Sequence, residues 1–441
     1  MSEEDQNKEN EHEQFDYTQY DPLAAIGYSA EPGDIYYVTP PQELSTYPMY
    51  IENPQKHEKK VGSYVSYSLN GTDVTENMSR RYSDFYALYE KLVQRWPGIY
   101  IPRIPPKKIN NMDKKTIKTR MRLLNHFCLN LSNINYLYTS EETTIFKDNV
   151  PDVPAAIGKL PELSYSELLT KLEGNIAAAN EDYDILIGKG KINEFDVYLK
   201  KTLKNIEIFQ KSVESASEKR EIEIKNYCEL IQGFSEYEKN NIKSYTEGDE
   251  NVLIFCNPSY SCLQEKVEKL KKEMINPFTA FKDWLEEETL DVEAMIVAIK
   301  QINELMAEEE KLRKKLDSIE SDLQKLEGGQ KKSIKTLFKK KEDLIASSQK
   351  GKDETTEKLN ALSSIVKIVA ENMENQIAEF KTQKTQSYYR SLKIFAILQR
   401  ESNKVVRELW NMVKDALNDI APNIGEENDE YVAQPMSSAR D

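Results

Sequence analysis

The sequence predicts a small α+β domain, in which helices pack on a short antiparallel sheet, followed by an all-α domain of three long helices. Residues 44–150 show strand-like and helical patterns around a Pro-rich segment. Proline then becomes rare, and between residues 163 and 420 only Pro258 and Pro277 remain. Over that stretch apolar residues recur at helical spacing, which predicts long amphipathic helices.

Composition favours a peripheral cytoplasmic protein. Charged residues make up 31% of the chain, and the mean hydropathy is −0.68, which indicates a large exposed surface. No apolar run approaches the roughly 20 residues that span a bilayer. The four cysteines lack the spacing of metal ligands, and there are only three histidines, so we expect neither a metal nor a cofactor.

The net charge of −15 is unevenly distributed. Residues 1–36 hold ten acids and one lysine, and residues 421–441 hold five acids and one arginine, so both termini are expected to be disordered acidic tails. Residues 44–150 hold 16 basic against 10 acidic residues, a net of +6. Local charge determines attraction to a membrane, so the first domain suits an anionic lipid surface. A nucleic-acid partner is not expected.

The α+β domain opens with a strand signal at residues 64–69, where apolar and polar residues alternate, and Asn70-Gly71 supplies a turn. The sequence Arg-Arg-Tyr-Ser-Asp-Phe follows at 80–85. A guanidinium fork suits phosphate oxygens, and the ring of Tyr82 suits the flat face of a sugar or inositol. Arg80 is expected to point outward and support the sheet or meet the membrane.

Two further motifs follow in order. Pro102-Arg-Ile-Pro-Pro-Lys107 forms a Pro-rich loop, and Arg120 precedes an amphipathic helical pattern around Leu123 and Leu124. A basic-aromatic strand end, this loop and this arginine together resemble the PX (phox-homology) domain, which binds phosphoinositides.

The resemblance implies a role for each motif residue in binding phosphatidylinositol 3-phosphate. It assigns Arg81 to the 3-phosphate, Tyr82 to the underside of the inositol ring and Lys107 to the 1-phosphate. It assigns Arg120 to the ring hydroxyls at positions 4 and 5. All four positions hold the expected residue type, so the pocket is expected to be intact. A basic run follows at Lys108, Lys114, Lys115 and Lys118, with Ile109 and Met112 among the lysines. It would form either a loop that dips shallowly into the bilayer or plain solvated charge.

The helical region predicts three helices, two of them with some 60 residues or more, the second kinked by Pro277. The last helix contains Phe380 to Lys384, Tyr388-Tyr389 and Trp410. This pattern resembles the terminal helix of the sorting nexins that combine a PX domain with a BAR domain. Long helices with apolar stripes need a partner bundle, so a homodimer or a heterodimer with another PX-BAR protein is expected. Paired lipid sites would then gain avidity.

The connection between the second and third helices is basic, with eight lysines against three acids between Glu327 and Lys352. Lysines at a helical tip attract anionic lipid, although a solvated hairpin turn has the same composition. The candidate membrane contacts here are Lys335, Lys339, Lys340 and Lys341.

A further helix is predicted just after the α+β domain, with Tyr165, Leu168, Leu169, Leu172 and Ile176 on one face. Related proteins insert a helix at this place into curved membranes. Its polar face here is mostly acidic, whereas interfacial helices favour Lys and Arg. Packing against the bundle or the PX domain is therefore favoured over insertion.

The sequence thus predicts a PX-BAR sorting nexin that binds phosphatidylinositol 3-phosphate on endosomes, senses or shapes membrane tubules and supports cargo sorting. No phosphate-binding loop, nucleophile elbow or histidine cluster predicts an enzyme. The alternative is a dimeric scaffold whose PX domain binds proteins or another phosphoinositide. The expected divisions are an acidic tail at 1–43, the PX domain at 44–150, a linker with a candidate amphipathic helix at 151–192, the BAR-type domain at 193–420 and an acidic tail at 421–441.

Overall fold

The computed structural model describes residues 47–58, 63–75, 78–107, 113–176, 178–327 and 341–420. The described chain forms two units. The first contains residues 47–206 and 286–385, and the second contains residues 207–285 and 386–420. The predicted α+β domain lies in the first unit, whereas the three longest helices contribute residues to both.

An antiparallel sheet of three strands begins the first unit, in the order β1 (Tyr50–Glu58), β2 (Ser63–Asn70) and β3 (Met78–Arg81). The predicted strand at 64–69 is therefore confirmed. Asn70-Gly71 does not form a two-residue hairpin, because β3 begins only at Met78. Gly71 instead permits a close approach of two backbones: its φ is +152°, and a Cβ there would lie 1.9 Å from the carbonyl oxygen of Pro48.

Six helices follow the sheet: α1 (Tyr82–Arg95), α2 (Lys114–Ser132), α3 (Asn135–Tyr138), α4 (Glu141–Lys147), α5 (Val153–Gly158) and α6 (Tyr165–Glu173). The side chains of α1, α2 and α4 meet in an aromatic core. Phe85 packs edge-on against Phe127 and Phe146, with ring centroids 6.2 and 4.9 Å apart. All three rings are fully buried, so this core fixes where α1 begins relative to α2.

The remaining helices are α7 (Ile185–Tyr237), α8 (Lys243–Tyr245), α9 (Ser261–Glu273), α10 (Phe278–Glu327) and α11 (Lys341–Ile420). A π-helical segment, Glu238–Ile242, continues α7 into α8, and 3₁₀ turns lie at Glu250–Val252 and Pro258–Tyr260. The α+β domain followed by three long helices is confirmed.

The prediction that Pro277 kinks the second long helix is wrong. Pro277 stands immediately before α10, and the chain between α9 and α10 is not helical. Proline has no amide hydrogen to donate, and the first residues of a helix need none, so it tolerates this position well. Because α10 begins only after Pro277, it has 50 residues; α7 has 53, so of the three long helices α11, with 80, is the one that exceeds the predicted 60.

The second unit has a core of its own. Residues of α7, α9 and α11 pack there around Ile231, Leu270 and Leu409, all of them buried. Phe255, in the segment between α8 and α9, stacks on Phe234 of α7 at a centroid distance of 5.6 Å. The chain between α7 and α10 is therefore packed onto the bundle and carries an additional helix, α9, that the sequence pattern did not separate from α10.

Candidate functional site

The four residues predicted to bind the headgroup lie on one strand, two helices and one loop. Arg81 ends β3, Tyr82 begins α1, Arg120 lies in α2, and Lys107 ends the Pro-rich segment. The fold brings two of them into direct contact: the guanidinium carbon of Arg120 lies 5.2 Å from the centre of the Tyr82 ring. This is the distance of a cation–π interaction, so an arginine and an aromatic face stand together although 38 positions separate them.

Tyr82 also fixes the Pro-rich segment. Its hydroxyl donates a hydrogen bond of 2.7 Å to the carbonyl oxygen of Pro105. Burial raises the pKa of this phenol, while the charges of Arg120 and Arg103 act in the opposite direction. Lys107 is exposed two residues after Pro105, so the same hydrogen bond anchors the segment that carries it.

Arg81 is held from one side by Asp84. The backbone amide of Arg81 donates to Asp84 at 2.9 Å, and the guanidinium Nε lies 3.3 Å from the same carboxylate. Asp84 is buried, whereas 42% of the Arg81 side chain is exposed. An arginine anchored at its inner nitrogen and open to solvent is oriented before any anion arrives.

The expectation that Arg80 points outward is wrong. Arg80 is buried and donates to the carbonyl oxygens of Phe146 and Asp148 at 2.9 and 2.6 Å. Successive side chains of a strand point to opposite faces, so adjacent arginines on β3 have different surroundings. Arg80 ties the sheet to the end of α4, and Arg81 is the one of the two arginines whose side chain is partly exposed.

Sequence reasoning missed Tyr67 on β2. Its ring is buried, and its hydroxyl has no hydrogen-bond partner among the described residues. Burial raises the pKa of Tyr67 to about 12, and the charge of Arg120 opposes this shift. Tyr67 therefore lies within electrostatic reach of the candidate site. Alternation along β2 predicts that Tyr67 faces inward, but no local signal relates it to Arg120.

A second cluster, the Asp291 network, joins α2 to the long helices within the first unit. Asp291 of α10 accepts hydrogen bonds from His126 Nε2 at 2.8 Å and Tyr100 Oη at 3.3 Å, with a longer contact from Asn130 at 3.4 Å. Lys384 of α11 forms an ion pair with the same carboxylate. Four side chains from three parts of the chain thus converge on one buried acid.

The charges of the Asp291 network stabilise one another. Burial alone would favour the neutral acid, but His126 and Lys384 hold the pKa of Asp291 below its usual value. Burial likewise opposes protonation of His126, yet Asp291 and Glu287 raise its pKa. Lys384 is also paired with Glu288 at 3.0 Å. The network therefore favours an ionised acid facing two cations.

Arg122, which also lies on α2, adds a further link between α2 and α10. Its guanidinium donates to Glu286 at 2.5 Å and also pairs with Glu287. The Pro-rich segment makes a parallel connection, in which Arg103 Nε lies 3.0 Å from Glu293 of α10. Helix α2 and the Pro-rich segment, which carry the candidate headgroup residues Arg120 and Lys107, are thus both bonded to α10.

The candidate membrane contacts Lys108, Ile109, Met112, Lys335, Lys339 and Lys340 lie outside the described residues, and Lys341 begins α11 without a described side chain. Within the described ranges, no cluster of three or more His, Cys, Asp or Glu side chains has the arrangement of a metal site. None of the described helices combines the length and apolar character needed to cross a membrane.

Comparison with known proteins agrees with this architecture. Residues 69–148 match the model of the PX domain family. The fold resembles that of the SNX-BAR protein Mvp1, solved as a tetramer by cryo-electron microscopy, with a TM-score of 0.57 and 15% identity over 83% of this chain and 100% of that one. The chain has the fold of a PX-BAR sorting nexin. The resemblance inferred from the motifs is confirmed.

Curated sorting nexins match only a short part of the chain. Mouse sorting nexin-8 is 31% identical over 64 residues, which cover 14% of this chain and 14% of the mouse protein. Sorting nexin-4 of Eremothecium gossypii is 33% identical over 75 residues, which cover 14% of this chain and 18% of that protein. The similarity to these relatives thus spans less than a fifth of their length.

Proposed function

We propose that this PX-BAR protein is a peripheral membrane protein that binds phosphatidylinositol 3-phosphate on endosomes and acts in cargo sorting as a dimer. The observation that carries the proposal is the grouping of Arg81, Tyr82 and Arg120 at the junction of β3, α1 and α2. A half-exposed arginine, an aromatic face and a second arginine match the phosphate, ring and hydroxyls of an inositol headgroup.

In this proposal the headgroup lies against Tyr82. Arg81 binds the 3-phosphate through its guanidinium fork, and Arg120 donates to the hydroxyls at positions 4 and 5. Lys107 contacts the 1-phosphate, near the lipid surface. The hydrogen bond from Tyr82 to Pro105 supports this assignment, because it sets the distance between the ring and the segment that carries the lysine.

Co-sedimentation with liposomes tests the headgroup assignment. Phosphatidylcholine vesicles with a small fraction of phosphatidylinositol 3-phosphate should bind the wild type and not Arg81→Ala. The matched control is Lys159→Ala, which removes one exposed positive charge from the same region outside the candidate site. Vesicles with phosphatidylinositol 4-phosphate or a bisphosphorylated inositide identify the preferred headgroup.

Two results would reject the assignment. If Arg81→Ala and Lys159→Ala reduce binding equally, the interaction is general charge attraction. If the wild type does not bind phosphoinositides at all, the alternative of a protein-binding scaffold replaces the proposed lipid-binding role.

Self-association is supported by exposed apolar side chains on the second unit, among them Ile222, Leu230 and Tyr389. Apolar surface on a helical bundle favours a partner bundle. Sedimentation equilibrium of the wild type and of Leu230→Glu tests this directly, since a charge at the interface should produce a monomer. The basic residues between 335 and 341 remain a proposed membrane contact, and Lys339→Glu with Lys340→Glu should weaken vesicle binding.

A further inference from the structure

The candidate headgroup site carries more positive charge than its described neighbours neutralise. Arg81 donates to Asp84 through Nε at 3.3 Å, and no described residue accepts a hydrogen bond from its two terminal nitrogens. Lys107 is exposed and forms no ion pair with any described residue. Arg120 places a third cation at the ring of Tyr82. Asp84 thus stands against three cations, so the site attracts any anion that can reach it.

The same chain contains a matching anion. Residues 11–21 read Glu-His-Glu-Gln-Phe-Asp-Tyr-Thr-Gln-Tyr-Asp and are named the acidic aromatic segment. Four of these residues are acids, three are aromatic and none is Lys or Arg. The segment lies outside the described residues. Carboxylates suit the guanidinium fork, and aromatic rings pack well on guanidinium faces, so its composition is complementary to the site.

The path of the chain brings this segment within reach. The backbone oxygen of Tyr47 accepts a hydrogen bond from the amide of Thr72 at 3.4 Å. Thr72 follows Ser66 by six positions, and Ser66 pairs with Arg81 across β2 and β3. At about 3.3 Å per strand residue, Tyr47 lies within roughly 30 Å of Arg81. Asp21 precedes Tyr47 by 26 positions. An extended chain of that length spans roughly 90 Å, so the connection is long enough.

We propose that the acidic aromatic segment occupies the headgroup site and competes there with the lipid. A tether of this kind raises the effective concentration of a ligand to about the millimolar range, so a weak contact is sufficient. The acidic residues at 421–441 are a poorer candidate, because they follow α11 in the second unit, whereas the segment joins the unit that contains the site. The regulatory consequence rests on the proposed lipid function, but the contact itself does not.

Calorimetric titration of the full-length protein with a soluble phosphatidylinositol 3-phosphate headgroup tests the competition. The segment is neutralised by four simultaneous changes: Glu11→Gln, Glu13→Gln, Asp16→Asn and Asp21→Asn. This variant should bind about fivefold more tightly, which corresponds to a segment that occupies the site about four-fifths of the time. The control makes the same change in net charge at the other end of the chain: Glu426→Gln, Glu427→Gln, Asp429→Asn and Glu430→Gln. It should titrate like the wild type.

A second experiment detects the contact without lipid. A fluorescent peptide of residues 11–21 is added to the variant with the neutralised segment, and its anisotropy is measured. The peptide should bind, and high salt should weaken the binding because the contact is between exposed charges. Adding Arg81→Ala should abolish the binding. Adding Lys107→Ala, at a fully exposed position, should reduce it without a change in thermal unfolding.

The two experiments separate failure of this inference from failure of the lipid function. If the wild type and the neutralised variant bind the headgroup with equal, measurable affinity, the inference is overturned. Peptide binding that does not depend on Arg81 also overturns it, because the segment then binds elsewhere. If the peptide binds through Arg81 while the headgroup binds no variant, the segment does occupy the site and the proposed lipid function fails instead.

Discussion

His126 Nε2 of α2 lies 2.8 Å from Asp291 Oδ1 of α10, a partly buried contact between residues 165 positions apart. Arg120 lies on the same helix, six residues before His126. One side of α2 thus presents a guanidinium to Tyr82, and another binds the long helix. A rigid helix that makes both contacts fixes the candidate headgroup site relative to α10.

Replacing Asp291 with Asn should destabilise the first unit. The change keeps the shape of the side chain but removes the negative charge that faces His126 and Lys384. Removing one member of a buried ion pair leaves uncompensated charge and costs about 3 kcal/mol of unfolding free energy. Urea unfolding followed by tryptophan fluorescence measures the loss.

The control for this change is Glu304→Gln, which breaks the exposed pair between Glu304 and Lys300. Exposed pairs contribute roughly 0–1 kcal/mol, so the control should stay close to the wild type. Equal unfolding midpoints for the Asp291 and Glu304 variants would show that the network does not stabilise the first unit.

The Asp291 network should also make stability depend on pH. Asp291 and Glu287 raise the pKa of His126 in the folded protein above the value of about 6.5 in the unfolded chain. The folded state therefore binds more protons, and its stability falls as pH rises. The contribution of His126 should be fully present below about pH 6.5 and lost as pH rises through the raised pKa.

Unfolding free energies measured from pH 6 to pH 9 test this dependence (a range set around that unfolded value of about 6.5). His126→Gln keeps a polar side chain without the titration, so its stability should vary less over the interval. Asp291 and Lys384, which also face His126, remain charged throughout this range by the directions of their pKa shifts. Parallel pH profiles for the variant and the wild type would assign the dependence to other groups.

The sequence predicted most of the fold and the composition of the candidate site. Alternation identified β2, and helical periodicity identified the long helices, because both are local patterns. The motifs also selected Arg81, Tyr82 and Arg120, and the structure places the last two in contact. Whether these residues bind a headgroup remains a prediction, as do the domain boundaries.

The errors concern relationships that local patterns do not contain. Arg80 and Arg81 are chemically identical neighbours, and only the path of β3 decides which one is buried. The helical spacing of apolar residues continues on both sides of Pro277, so the local pattern alone predicts that it lies inside a helix. The partners Asp291 and His126 carry no motif at all, since their contact depends on how α2 packs against α10.

Tyr82→Phe should weaken headgroup binding modestly. The ring keeps its contact with Arg120, but the hydrogen bond to Pro105 is lost. A hydrogen bond of this kind contributes about 1 kcal/mol, so affinity should fall by about fivefold. Calorimetric titration with a soluble headgroup measures this affinity. Tyr82→Ala should lose far more, because it also removes the ring, and equal effects of the two variants would contradict this division.

Helix α6, predicted to pack rather than to insert into membrane, is bonded to the α+β elements through one buried acid. Glu142 of α4 accepts from Arg95 Nε at 2.6 Å and from Lys171 of α6 at 2.9 Å. Burial raises the pKa of Glu142, but its hydrogen bonds and the charge of Lys171 lower it overall. Lys171 also lies 4.1 Å from the ring centre of Trp96, so its ammonium group is held on two sides.

Glu142→Gln should therefore release α6. The substitution leaves Lys171 and Arg95 without their buried counter-charge, at a cost of about 3 kcal/mol. Amide hydrogen exchange should accelerate in α6 more than in α2. The adjacent Glu141→Gln is a close control, because Glu141 also pairs with Arg95, at 3.1 Å, but is largely exposed. If both variants leave exchange in α6 unchanged, the apolar contacts of Leu168 and Leu172 hold the helix, and Glu142 is dispensable for its docking.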